Sequence, residues 1–117
     1  MRSATPRQSL SKYGETSEAV TTLDNAASAL NRSGRLPDAE AAYRRALTAA
    51  RSLFPEDGPV TQLIRYHLAS CLLDQHRPGE SAVLTAGLSA ATLSLAEQNP
   101  GWPDLLSQQA KQIDSER

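Results

Sequence analysis

The sequence of 117 residues has few aromatic side chains, one cysteine and no long apolar run. Aromatic residues make up 4% of the chain, and Ile and Val are scarce, which argues against a core of packed β-sheets. The single Cys71 excludes an intrachain disulfide framework and favours a reducing compartment. We therefore expect a cytoplasmic protein of the all-α class.

Charge and hydropathy also exclude two kinds of partner. The formal net charge is −1, so the chain lacks the overall positive field that attracts nucleic acids or acidic membranes. No apolar run approaches the length needed to span a bilayer. We expect neither nucleic acid nor a membrane as a partner.

Length and local composition indicate one domain with short ends. We assign residues 1–15 to a flexible leader, 16–114 to a helical domain and 115–117 to a tail. The leader contains Arg2, Arg7 and Lys12 and several Ser, a composition that is also found in organellar transit peptides. Pro6 interrupts it and no apolar face develops, so the flexible leader is favoured.

Hydrophobic periodicity predicts five helices, near 17–33, 37–53, 59–75, 79–98 and 103–114. Gly34 follows the first helix and Pro37 opens the second, which are the favoured positions of these residues at helix ends. In the last helix, Leu106, Ala110 and Ile113 have the spacing of one helical face. The short turns predict antiparallel helix pairs.

The pattern repeats every 42 residues. The matching positions are Ala27 with Ala69, Leu30 with Leu72, Gly34 with His76, Arg35 with Arg77, Asp38 with Glu80, and Ala39 with Ser81. A fixed period of helix–turn–helix units in this range predicts a solenoid of repeats.

These residues resemble a tetratricopeptide repeat. The resemblance lies in Leu23-Asp24-Asn25-Ala26-Ala27, Gly34-Arg35-Leu36-Pro37-Asp38-Ala39, Tyr43 and Ala46-Leu47. The 42-residue period and the connector Phe54-Pro55-Glu56-Asp57-Gly58-Pro59 are similar to the longer repeats of kinesin light chains. The resemblance implies two antiparallel repeats, a C-terminal capping helix, and a scaffold or adaptor that binds a protein or peptide.

It also implies a binding surface, because the first helix of each repeat lines the concave side in this family. The residues expected to contact a partner there are Asn25, Ser28, Arg32, Tyr66, Ser70 and Asp74. Asn25 aligns with the family's groove asparagine, and Tyr66 offers an aromatic anchor. The alternative is that most of these are simply solvated positions on a helix.

The second repeat departs from the first at three positions. Arg65, Thr85 and Leu88 stand where the first repeat has Leu23, Tyr43 and Ala46. We expect Leu88, in place of a small residue, to hold its neighbouring helix further away. Gly87 inside the predicted fourth helix either permits a close helix crossing or is merely tolerated.

No residue pattern predicts catalysis or a cofactor. His67, Cys71 and Asp74 lie at i, i+4 and i+7, but a zinc site normally needs a fourth ligand from a second close-spaced pair. We therefore expect no metal and no enzymatic activity. Besides an adaptor, the chain could be a self-association module forming a homo-oligomer, or an accessory regulatory domain of a larger signalling protein.

Overall fold

The structure of the chain, a computed structural model, describes residues 17–98 and 105–115, and these residues contain helices and no strand. The helices are α1 (Ser17–Arg32), α2 (Leu36–Leu53), α3 (Pro59–Asp74), α4 (Pro78–Thr85), α5 (Ala90–Gln98) and α6 (Leu105–Ser115). This confirms the all-α class for that part of the chain. The expected leader, the start of the last predicted helix at 103, and the tail beyond Ser115 lie outside the described residues.

The central helix is α3, which contacts α1, α2, α4 and α6. Thus α1, α3 and α6 lie side by side. Helix α2 contacts α1 and α3, and helix α4 contacts α3 and α6. Short turns make α1–α2 and α3–α4 antiparallel pairs. None of the helices in the described ranges is long and apolar enough to cross a membrane.

The same turn ends α1 and α3. Gly34 and His76, 42 residues apart, both have a positive φ, of 85° and 61° respectively. In each turn the next amide donates to the carbonyl five residues earlier, at 2.9 Å. This is the Schellman geometry, which satisfies carbonyl groups left open at a helix end. The expected end of the first helix is confirmed, and the second turn repeats it without a glycine.

Two apolar clusters make up the core. Ala27, Ala39 and Ala46, the small residues expected at close helix contacts, are fully buried in the first cluster, between α1, α2 and α3. The second cluster joins α3, α4 and α6 and comprises Tyr66, Ala69, Leu73, Leu88 and Leu105. Small side chains let the helix backbones approach closely, so the first cluster packs largely through alanines and leucines.

The prediction of one continuous helix over 79–98 is wrong in its middle. Helix α4 ends at Thr85 and α5 begins at Ala90. The hydroxyl of Ser89 accepts a hydrogen bond from the amide of Thr92 at 3.2 Å, which is the bond of a serine N-cap. Leu88 lies in this break and is buried in the second cluster. Leu88 therefore packs into the core from the break and not from within a continuous helix.

Arg65 explains why α4 stops. Its guanidinium donates to the carbonyl of Leu84 from Nη2 at 2.7 Å and from Nε at 3.2 Å. It also donates to Glu56 at 2.7 Å, and its side chain is only 10% exposed. A β-carbon on Gly87 would lie 2.7 Å from Cζ of Arg65. Gly87 therefore leaves the space that the guanidinium occupies.

Gln62 completes the polar contacts of the break. Its amide nitrogen donates to the carbonyls of Glu56 and Gly87, at 3.2 and 3.1 Å. Its amide oxygen accepts from the amide of Ser89 at 2.7 Å and from the hydroxyl of Thr92 at 3.0 Å. Because the 2% exposed Gln62 uses both donors and both lone pairs, its burial costs little.

Candidate functional site

Helix α3 is buried around most of its circumference and keeps one accessible row. That row consists of Val60, Leu63, His67, Ser70 and Asp74, at alternating separations of three and four residues, which place them on a single helical face. The row lies beside α1. We use the name α1–α3 face for this row together with Asn25, Ser28 and Arg32 of α1.

Two hydrogen bonds join α1 to α3 along this face. Nδ1 of His67 lies 2.9 Å from a carboxylate oxygen of Asp24, and the amide nitrogen of Asn31 donates to Asp74 at 3.3 Å. The two pairs are separated by seven residues on each helix, or about two helical turns. They fix the register of the two helices, and they leave Asn25 and Arg32 exposed one residue further along α1.

Tyr43 of α2 supports the face from beneath. Its hydroxyl is 2.9 Å from that of Ser28, and its ring lies 5.7 Å from the ring of His67, at an interplanar angle of 43°. Burial raises the pKa of Tyr43 above its usual 10, because the phenolate would lose its hydration. Tyr43 therefore stays a neutral hydrogen-bonding group that holds Ser28 and the ring of His67.

The contact with Asp24 sets the orientation of the His67 ring. A carboxylate can only accept, so Nδ1 of His67 carries the proton that it donates to Asp24. The side chain of His67 is 28% exposed and that of Asp24 is 15% exposed. In the neutral ring Nε2 is then the nitrogen that can accept a hydrogen bond.

Five of the six predicted partner-binding residues are accessible. Asn25, Arg32 and Asp74 are exposed, and Ser28 and Ser70 are half-buried. Tyr66 is different: it is 3% exposed and belongs to the second apolar cluster. Tyr66 and Asp74 are eight residues apart and therefore lie about 80° apart around α3, so Tyr66 turns away from Asp74 toward α4 and α6. It does not present an aromatic anchor at the surface.

The residues considered as metal ligands each contact a different group. Nδ1 of His67 pairs with Asp24, Asp74 accepts from Asn31, and the Cys71 sulfur donates to the carbonyl of Leu36 at 3.6 Å. Over the two described stretches, no three His, Cys, Asp or Glu side chains are grouped to hold a metal. Burial raises the pKa of Cys71 to about 11, which keeps it a thiol.

Sequence reasoning missed the pairing of Asp24 with His67 and of Asn31 with Asp74. A signal for both existed, because each pair is separated by 43 residues, one more than the 42-residue period of the sequence. Pairs at this offset are therefore candidates for contacts between α1 and α3.

Comparisons of the chain with protein-family models, with curated proteins and with solved structures find no match. The α1–α3 face must be interpreted from its own geometry.

Proposed function

We propose that this protein is a scaffold of the tetratricopeptide type that binds a protein or peptide segment along the α1–α3 face. The observation that carries the proposal is the accessible row of α3, which is joined to α1 through Asp24 and Asn31, the residues that precede the exposed Asn25 and Arg32. Hydrogen bonds hold the two helices in register, so the polar groups of the face are already in place before binding.

The repeated turn supports the comparison with tetratricopeptide repeats. Gly34 and His76 have the same backbone geometry at equivalent positions, and Ala27 and Ala69 are both fully buried. A binding role is favoured over nucleophilic catalysis, because the thiol of Cys71 is buried and its pKa is raised to about 11. A reduced Cys71 also suits a cytoplasmic adaptor.

The charges on the face indicate the kind of segment it would bind. Arg32 provides positive charge and Asp74 negative charge, whereas Arg65 is buried in the break between α4 and α5. A clamp of several cations around one carboxylate is therefore not favoured. An extended peptide with both charge signs fits better, with an apolar side chain against the half-buried Leu63, which takes the anchoring role expected of Tyr66.

Selection from a displayed library of random peptides, followed by fluorescence anisotropy titrations, would test this proposal. We expect selected peptides to lose about tenfold or more in affinity with the double variant Asn25→Ala/Arg32→Ala, corresponding to roughly 1.4 kcal/mol. Both residues are exposed, so the fold should be retained. The matched control is Arg45→Ala/Thr48→Ala, two exposed residues of α2, which should bind normally.

The opposite pattern would contradict the proposal. If the α2 control lost binding and the α1 variant did not, the surface formed by α2 would be the binding surface. A chain that enriches no peptide above background would also count against peptide recognition by this face.

A further inference from the structure

The two ring nitrogens of His67, in the middle of the α1–α3 face, have different surroundings. Nδ1 donates to Asp24 at 2.9 Å, and Nε2 has no hydrogen-bond partner among the residues that the structure describes. The buried side-chain nitrogen and oxygen atoms without a partner there are Oδ1 of Asn31, Oγ1 of Thr61 and Oε1 of Gln112. Since Nε2 of His67 is not one of them, it is open to solvent.

The neighbours of the ring determine where an added proton goes. Asp24 occupies Nδ1, and the ring of Tyr43 lies against the imidazole, 5.7 Å away between centroids. The remaining lone pair of the neutral ring is on Nε2, so a proton taken from solvent binds there. Protonation changes Nε2 from an acceptor into a donor and gives the ring a positive charge.

One charged group contacts the ring. The titratable or charged residues around it on the three helices of the face are Asp24 and Arg32 of α1, Tyr43 of α2, and Cys71 and Asp74 of α3. Burial raises the pKa of Tyr43 and of Cys71, so both stay neutral. Asp74 and Arg32 are about two helical turns away, roughly 10 Å or more along the axis, where water and salt screen their charges. Helices α4 and α6 pack against α3 on the side of Tyr66.

We propose that His67 makes binding at the α1–α3 face dependent on pH, because its protonated ring donates from Nε2 to a carboxylate of the bound peptide. This rests on the proposed function of the face. Histidine side chains change charge between about pH 5 and 8, whereas Asp and Glu stay ionised above about pH 5. In mild acid the imidazolium and the carboxylate form a charge-assisted hydrogen bond. At about pH 8 the neutral Nε2 and the carboxylate are both acceptors and cannot pair.

The row of α3 also determines where the carboxylate stands in the peptide. Leu63, the expected apolar contact, is four residues before His67, or about 6 Å along the helix. In an extended peptide, side chains two positions apart point to the same side and are separated by about 6.6 Å. The peptide is therefore expected to carry Asp or Glu two positions from its apolar residue.

Peptide selection at about pH 5.5 and at about pH 8, followed by calorimetric titration, tests this inference. Peptides selected in acid should contain the expected Asp or Glu and bind about tenfold or more tightly at the lower pH. Their counterparts with Asn for Asp or Gln for Glu should lose this dependence. Titrations near pH 7 in buffers of different ionisation enthalpy should show that binding takes up as much as about one proton.

The two histidines of the chain provide a variant and its matched control. In His67→Asn the amide can still donate to Asp24, but no titrating nitrogen is left, so acidic peptides should bind equally at both pH values. His76→Asn removes the other histidine, which is exposed, and asparagine tolerates its positive φ. This control should keep the pH dependence. Circular dichroism at both pH values checks that the variants remain helical.

A second readout needs no peptide. Long-range proton–nitrogen NMR spectra of the free chain at about pH 8 should show His67 protonated at Nδ1 and not at Nε2. The opposite tautomer, an unchanged pH dependence in His67→Asn, or no enrichment of acidic peptides in acid would overturn the inference and leave peptide binding in place. Peptides that bind normally to Asn25→Ala/Arg32→Ala would instead contradict the proposed function of the face.

Discussion

At the scale of single residues, Gly34 and His76 occupy the same left-handed position after α1 and α3. Glycine adopts a positive φ at little cost, whereas a residue with a β-carbon does so against steric repulsion. Histidine is one of the side chains found there more often than average, but it remains unfavourable. The second turn therefore keeps its geometry at an energetic cost that the first turn avoids.

We predict that His76→Gly raises the free energy of unfolding by about 0.5–1 kcal/mol, because it relieves this cost and outweighs the greater chain entropy of glycine. Gly34→Ala is the matched change in the other direction and should lower stability by about 1 kcal/mol. No atom lies within 4 Å of a β-carbon placed on Gly34, so the effect is one of backbone conformation. Urea unfolding of both variants measures the two changes, and a destabilised His76→Gly would contradict this explanation.

At the scale of secondary structure, the break between α4 and α5 depends on the pairing of Arg65 with Gly87. The guanidinium donates a hydrogen bond to the carbonyl of Leu84, which in a continuing helix would accept from the amide four residues later. The guanidinium also lies where a β-carbon on Gly87 would be. Arg65 cannot move aside without losing its bonds to Leu84 and Glu56.

Gly87→Ala should therefore lower the free energy of unfolding by about 1–3 kcal/mol, the usual cost of inserting a methyl group into a filled space. In an Arg65→Ala background the same change should cost nearly nothing, since the clashing group is absent. A double-mutant cycle measured by thermal unfolding gives the coupling. Equal costs in both backgrounds would mean that Arg65 is not the reason for Gly87.

At the scale of the whole molecule, a set of ion pairs connects the two helix pairs. Glu40 of α2 accepts from Arg77 at 2.6 Å, from Arg44 at 2.9 Å and from Gln75 at 3.1 Å. Arg77 also binds both carboxylate oxygens of Glu80. Burial acts to raise the pKa of Glu40, but the hydrogen bonds from Arg77, Gln75 and Arg44 outweigh it, and the pKa lies below 4.5.

Because the pKa of Glu40 is lower in the folded state, its stabilising effect is complete above about pH 4.5 and is lost as the pH falls through its folded value. We predict that Glu40→Gln lowers the free energy of unfolding by about 1–2 kcal/mol at pH 7, and that this difference disappears in strong acid. The exposed Glu18 provides the control, Glu18→Gln, which should have little effect. Urea unfolding over a pH series measures this, and a difference that persists unchanged in acid would exclude an ionic origin.

The candidate site shows how much of a surface local sequence patterns can predict. The six predicted contact residues lie on the first helix of each pair, and five of them are exposed or half-buried. Tyr66 is not, because a small rotation around α3 separates the face from the second apolar cluster. A helical period in the sequence predicts where a residue lies along its helix. It does not specify which side of that helix the neighbouring helices cover.

The sequence by itself determined the all-α class, the ends of α1, α2 and α3, and the small residues at the core of the first pair. Those features depend on local signals, such as Gly34, Pro59 and the apolar period, which act within one or two helical turns. Only the tertiary structure decided the break after Thr85, the burial of Tyr66 and the face that α6 turns outward. Each of these depends on groups far apart in sequence, such as Arg65 with Leu84 and Gln109 with Ser81, whose hydrogen bonds outweigh the local preference for a longer helix or an inward apolar stripe.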